Sequence, residues 1–320
     1  MQTKIYGTMG PACHEKELLE EMIRRGMSGV RLNLSHVSLK DSAEWIREWQ
    51  LASKGRCDLL IDMQGPEMRI APFRETLQFE AGDQVDIPMT ERVIPYLKEG
   101  QEALLDDGKL LARVLSVGKD KARFLMLREG ELTGGKSIKL PGVENTLSAL
   151  TAHDRANLAQ AKAAGVTGVM QPFVRRADDL RELRQALDDV GAGDIKIFAK
   201  IENTAGIRML EEIVEEADWI VIARGDLGND MPLWELPTAQ RRIAAICRKH
   251  QVPFIVVTQM LASMEHAPIP TRAEISDIDH AILDGASGVM VTGETAVGEY
   301  PTEVIHYLAQ TVRCARNAIE

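Results

Sequence analysis

Eight short, continuously apolar runs recur along the chain with longer amphipathic stretches between them, and that alternation restricts the fold more than any other property of the sequence. The runs are Lys4–Gly10, Gly29–Ser35, Asp58–Gln64, Gly168–Val174, Ile195–Glu202, Trp219–Asp226, Pro253–Met260 and Gly288–Gly293. They are apolar throughout, as strands covered on both faces are, instead of alternating apolar with polar. Helical patterns over Glu15–Arg25, Asp41–Ala52, Asp178–Leu187, Thr204–Glu216, Leu236–His250, Arg272–Asp284 and Thr302–Ile319 fill the spaces between and after them. Gly26, Gly55, Gly165 and Gly285 stand where helix C-caps are expected. Eight strand–helix units predict an α/β fold, a (β/α)8 TIM barrel.

One interval breaks the rhythm. Most strand starts lie about 25–35 residues apart, but the third and fourth are about 110 apart. The excess segment has short alternating runs at Gln84–Pro88 and Ala122–Leu127, and turn residues at Ala81-Gly82-Asp83, Asp106-Asp107-Gly108 and Gly134-Gly135. This predicts a small β-rich domain, residues 71–150, inserted between a first barrel part (1–70) and a second (151–320). The loop after a barrel strand opens on the catalytic face, so an insertion there is placed to act as a lid.

Composition narrows the partners. The 320 residues carry a formal net charge of −10. That argues against nucleic-acid and anionic-membrane binding, both of which need a basic footprint. Cys13, Cys57, Cys247 and Cys314 are widely spaced with no CxxC pair, which suits free thiols in a reducing cytoplasm. The N-terminal stretch lacks the apolar core of a signal peptide, and no run approaches the ~18 apolar residues of a membrane span.

Polar residues crowd the C-terminal ends of the strands, where barrels keep their chemistry. Glu202 and Asp226 end neighbouring strands with no cysteine or paired histidines nearby, and an all-oxygen pair with open positions suits Mg2+ or Mn2+. Lys200 precedes Glu202 by two residues, so the two side chains face the same way in a strand. Arg31 and Arg69 can reach the same mouth. A divalent ion, a lysine and arginines around one anion are what phosphoryl transfer needs. An internal ion pair holding the barrel is the plainer alternative for Lys200 and Glu202. Arg224-Gly225-Asp226-Leu227-Gly228 could form an anion nest. Asn33, Ser35, Asp62 and Glu67 form a second oxygen-rich group, read equally as a monovalent-cation site or a hydrogen-bond network.

Thr8-Met-Gly-Pro-Ala12, RLNLSH (31–36), IDMQGPEMR (61–69), KIEN (200–203), ARGDLG (223–228), TQML (258–261), PTRAEISD (270–277) and TGETA (292–296) together resemble the pyruvate kinase family in order and spacing across the whole chain. The resemblance implies a barrel with a lid after strand three, acting on phosphoenolpyruvate and ADP to give pyruvate and ATP. It implies Mg2+ (or Mn2+) on Glu202 and Asp226, and K+ on Asn33, Ser35, Asp62 and the backbone of Met63. Lys200 would stabilise the phosphoryl group in flight, Arg31 would contact it, and Arg69 would support the site. The Gly225–Asp226 backbone would hold the substrate carboxylate, with Thr292 on the same side, and Thr258 would help protonate the enolate through water. Pro11, His36 and Lys136 match nucleotide-side positions, and Asp107 matches a lid residue that closes towards the site. PTRAEISD resembles a segment near a barrel–barrel interface, which implies a homodimer or higher homo-oligomer.

The sequence also departs from the family. The family's usual chain continues through a C-terminal effector domain, whereas this sequence runs to Glu320, just after the last barrel helix, so effector control through that domain is expected to be absent. Val297 stands where a lysine near the ADP phosphates is usual, Gln64 replaces a lysine, Met63 a threonine and Pro172 a serine. Losing one charge-assisted contact at Val297 costs ~1.5–3 kcal/mol of binding. The erosion falls on the nucleotide half and keeps two alternatives open: a Mg2+-dependent pyruvate-enolate enzyme resembling oxaloacetate decarboxylases or aldolases, and a non-catalytic phosphoenolpyruvate-binding homologue.

Overall fold

The structure is a computed structural model, and it describes residues 3–35, 37–143 and 146–319. Among these residues the parallel strands β1 (Lys4–Thr8), β2 (Gly29–Asn33), β3 (Asp58–Asp62), β11 (Gly168–Gln171), β12 (Lys196–Ile201), β13 (Trp219–Ala223), β14 (Phe254–Val257) and β15 (Gly288–Met290) close into a barrel. The expected (β/α)8 barrel is therefore present. Closure joins the two ends of the chain: Lys4, Ile5 and Tyr6 pair with Gly288, Val289 and Met290. Its interior is packed by Tyr6, Leu60, Met170, Phe198, Trp219, Val221, Ala223, Ile255, Val257 and Met290. Phe198 and Trp219 stack there with ring centroids 5.4 Å apart. A filled interior leaves chemistry only at the strand ends.

The helices sit close to where the apolar periodicity puts them, with two differences. The Thr204–Glu216 pattern is two helices, Thr204–Arg208 and Leu210–Glu216, meeting at Met209. A helix at Ala152–Ala161, not expected from the sequence, begins with a capping box in which Thr151 and Asp154 bond each other's backbone N–H. The glycines at 26, 55, 165 and 285 all have positive φ, the conformation that stops a helix without a Cβ penalty.

The described chain divides into two compact units. One comprises Met1–Gly65, Ser148–Leu227 and Trp234–Glu320, and contains the barrel; the other comprises Pro66–Leu147 and Gly228–Leu233. The inserted unit holds a five-stranded antiparallel sheet of β5 (Gln84–Pro88), β6 (Glu102–Leu105), β7 (Leu110–Val117), β8 (Lys121–Met126) and β10 (Ile138–Lys139). It also holds a two-stranded sheet of β4 (Leu77–Phe79) and β9 (Gly130–Leu132). It has its own core, including Ile87, Leu105, Val114, Phe124, Met126 and Leu140. Gly228–Leu233 joins it through Asn229, which donates to the Asp107 carbonyl, and through Asp230, paired with Lys139 at 3.2 Å. Among the described residues no helix is long and apolar enough to cross a membrane.

Candidate active site

The strand ends of the barrel unit assemble one chain of alternating charges. Arg31 in β2 donates to Asp62 at the end of β3 through both Nε (2.9 Å) and Nη2 (2.7 Å). Lys200 in β12 donates to the same carboxylate at 3.1 and 3.3 Å, and its Nζ also lies 3.3 Å from Glu202 Oε2. The Lys200 side chain is 13% exposed, Asp62 3% and Glu202 not at all. The sheet register explains the proximity, since Asn33 lies opposite Asp62 and Asp62 opposite Met170.

Burial and pairing drive the two carboxylates apart. Burial raises the Asp62 carboxyl, but Lys200 and Arg31 more than reverse that and hold it below its ordinary value. Glu202 goes the other way: burial, with Asp226 and Asp62 nearby, pushes it up to about 7 against the pull of Lys200 and the Phe173 N–H. Burial disfavours the Lys200 ammonium, yet Asp62 and Glu202 outweigh it and raise its pKa. Lys200 therefore stays a cation, and Glu202 is a carboxylate short of positive charge.

Glu202 also has one oxygen in need of a partner. Oε1 accepts the Phe173 N–H at 2.7 Å, whereas the buried Oε2 accepts no hydrogen bond despite its nearness to Lys200. A buried carboxylate oxygen left this way fits a divalent cation, for which oxygen ligands and open positions are wanted. Asp226, the second expected ligand, lies close enough to act electrostatically on both Lys200 and Glu202. Among the described residues no three His, Cys, Asp or Glu side chains gather as a ready-made metal cage.

The remaining expected residues fall as follows. Asn33 Oδ1 accepts the Ser35 N–H at 3.1 Å, and Met63 is buried beside Asp62. These are oxygen donors of the kind a monovalent cation takes, although Asp62 is already engaged by two cations. The anion nest expected at 224–228 is instead one helical turn, Arg224–Gly228, and the Gly225 N–H donates to Thr258 Oγ1 at 2.8 Å. A nest needs a left-handed residue in this run, and among the described residues Gly225 is not one. Thr292 gives its N–H to buried Glu294 at 2.6 Å. Pro11 is exposed, with its carbonyl bonded to His14. His36 lies outside the described residues. In the inserted unit, Arg69 pairs with Glu67 at 2.6 Å and donates to the Gly135 carbonyl. Lys136 pairs with Asp106 at 2.8 Å, and Asp107 accepts from Ser137.

Sequence reasoning missed three contributors. Phe173 acts through its backbone, held at φ +52°, and side-chain pattern carries no such signal. Asp154, fully buried, accepts the N–H groups of Gln64 and Gly65 just past β3; Thr151-x-x-Asp154 was its legible trace. Arg224 was visible as a strand-end charge, but not its ion pair with Asp277 at 2.7 Å.

A closed parallel barrel with a buried lysine, an arginine and carboxylates at its strand ends has the (β/α)8 architecture, in which chemistry sits at the C-terminal mouth. The family described as "Pyruvate kinase, barrel domain" matches residues 1–305. A pyruvate kinase of Sporosarcina psychrophila is 35% identical over 340 aligned residues, covering 100% of this chain and 58% of that protein. One from Geobacillus stearothermophilus is 36% identical, covering 100% and 58%. One from Borreliella burgdorferi is 33% identical, covering 97% and 68%. The chain belongs to the pyruvate kinase family and spans somewhat over half the length of the first two of these relatives.

Proposed function

We propose that the chain moves the phosphoryl group of phosphoenolpyruvate to ADP, giving pyruvate and ATP. The observation that carries this is the buried Arg31–Asp62–Lys200–Glu202 chain with its unbonded Glu202 oxygen, in a member of this family. Glu202 and Asp226 would hold Mg2+ or Mn2+. When bound, that ion supplies positive charge to neutralise phosphoryl oxygens.

The chain's own groups divide the rest of the work. Lys200 remains charged and, fixed by Asp62, presents its ammonium without reorganisation to the charge that develops in transfer. Arg31 is aimed by two bonds to Asp62 and a long one, 3.5 Å, from Nη1 to Thr8 Oγ1, and the second Nη1 proton would serve an anion. Asn33, Ser35, Asp62 and the Met63 backbone would hold K+. The Thr258 hydroxyl already accepts the Gly225 N–H, so its own proton is left to donate, directly or through water, to the enolate carbon. The Gly225–Asp226 backbone, with the Gly225 N–H shared with Thr258, and Thr292 would take the substrate carboxylate side. Pro11, His36, Arg69 and Lys136 would serve the nucleotide and the transferring phosphoryl, with Asp107 on the inserted unit as a closing residue. A homodimer or higher homo-oligomer joined near PTRAEISD is part of the proposal, and Ile269 beside that segment is 62% exposed.

A coupled assay with phosphoenolpyruvate, Mg2+, K+ and several nucleoside diphosphates tests the reading; turnover with ADP is expected, and no turnover with any of them refutes it. One observation favours a second reading. Val297 is 64% exposed where the family carries a lysine, which fits a Mg2+-dependent enolate enzyme that needs no nucleotide. Oxaloacetate decarboxylation without nucleotide would separate the two.

A further inference from the structure

Thr258 has a backbone that a threonine does not adopt unaided. Its φ is +75°, and the following Gln259 has φ +54°. A β-branched residue in this region is a genuine outlier, and a second non-glycine residue of positive φ directly after it persists only where the surroundings over-determine both. What surrounds them is Arg224. Its Nη2 donates to the Thr258 carbonyl at 2.8 Å and to the Gln259 carbonyl at 3.4 Å, and lies 3.0 Å from Met260 Sδ. Its Nη1 donates to Asp277 Oδ1 at 2.8 Å, with Oδ2 2.7 Å away. The Arg224 side chain is 10% exposed and Asp277 36%, so the guanidinium is largely shielded on the side of the two carbonyls while its carboxylate partner keeps contact with water. The next residue, Gly225, bonds the Thr258 hydroxyl itself.

We propose that Arg224 and Asp277 are positioning residues: the ion-paired guanidinium holds the Thr258–Gln259 backbone left-handed and thereby fixes where the Thr258 hydroxyl sits. The inference rests on the reading of Thr258 as the group that delivers a proton to the enolate. Asp277 orients the fork from the helix Arg272–Leu283: Nη1 goes to that carboxylate while Nη2 reaches the two carbonyls, a fixed two-sided geometry that a lysine's single ammonium does not hold. Without the carboxylate the guanidinium is free to turn away. The two residues then relax towards ordinary φ, and the hydroxyl moves with them.

The test compares Asp277→Asn, Arg224→Lys, Thr258→Ala and their double variants. Asp277→Asn is expected to lower kcat about tenfold or more, since small displacements of a reacting group are costly, with the KM for phosphoenolpyruvate within about twofold. In the Thr258→Ala background the same change should cost little more, because the residue it acts through is gone. Gln259→Gly, which occupies the left-handed region freely, should restore much of the lost kcat to Asp277→Asn. Additive losses, or no recovery with glycine, overturn the proposal.

Hydrogen exchange judges the clamp without turnover. Residues 257–261 should exchange faster in Asp277→Asn, while 110–126 in the inserted unit stay unchanged; equal rates at 257–261 overturn the proposal. If the unsubstituted chain transfers no phosphoryl group but the exchange difference appears, the clamp stands and the reading of Thr258 falls.

Discussion

Asp154→Ala removes a side chain that four groups depend on. The carboxylate is fully buried and accepts the N–H groups of Gln64 (2.8 Å) and Gly65 (3.1 Å), together with the N–H and hydroxyl of Thr151 (both 2.8 Å). Alanine strands the buried Gly65 N–H, at about 2 kcal/mol, and the part-buried Gln64 N–H at about 1 kcal/mol. Losing the capping box adds about 1 kcal/mol, and the favourable charge at a helix start goes with it. The expected loss is about 4 kcal/mol, nearly a thousandfold in the folding equilibrium. Asp154→Asn keeps one acceptor and should lose about half as much. Urea unfolding followed by tryptophan fluorescence reads it selectively, because Trp45, Trp49, Trp219 and Trp234 all lie in the barrel unit. An Asp154→Ala midpoint that corresponds to less than about 1 kcal/mol, with an unchanged urea dependence, would refute the reasoning that these N–H groups have no other partner.

Three further outcomes are expected. Gly65 has φ +61°, and a Cβ there would stand 2.4 Å from Pro172 Cγ, so Gly65→Ala should cost about 2–3 kcal/mol, with part of the loss recovered in a Pro172→Ala background, as read by thermal unfolding. Burial pushes the Cys13 and Cys247 thiols up to about 11 and about 12 and raises Cys57 less. Thiolate is the reactive form, so a thiol reagent at neutral pH should label exposed Cys314 first, Cys57 more slowly, and Cys13 and Cys247 only on unfolding, as mass spectrometry would show. Burial raises the Glu274 carboxyl, but hydrogen bonds from Ser263 and Thr271 outweigh it and leave its pKa below 4.5. A depressed folded-state value stabilises the fold fully above 4.5 and less as pH falls through the folded value, so Glu274→Gln should flatten the acid side of the stability profile, and an unchanged acid side would count against the assignment.

The barrel was legible because each of its strands is a separate apolar burst and several of its helices stop beside a glycine in a forced conformation. Both are local properties of the sequence. The charge chain was half legible: Lys200 and Glu202 share a strand end, so their common direction follows from strand geometry alone, and Asp62 was visible as a polar strand end. That Asp62 would sit between Arg31 and Lys200 was not, because it depends on the barrel bringing β3 and β12 within reach around β11. The same holds for Arg224 and Asp277, 53 residues apart with no spacing rule to join them. The Ala152–Ala161 helix was overlooked where the insertion's alternating pattern gives way to helix without a strand between. The break at Met209 was overlooked because the apolar spacing runs on across it.

Gly228–Leu233 belongs with the inserted unit although about 80 residues of barrel separate it from the rest of that unit, and the barrel itself closes only when Gly288–Met290 reach Lys4–Tyr6. These facts set a timetable for a chain emerging from the ribosome. The contiguous Pro66–Leu147 portion, whose sheet pairings all fall within it, has most of its partners early. The tie from Asp230 to Lys139 must wait for another 90 residues. The barrel waits longest, holding its first strand unpaired on one side until nearly the whole chain has been made. A translation pause after residue 147 should therefore yield a structured insert and three barrel strands, out of eight, that stay open and chaperone-dependent.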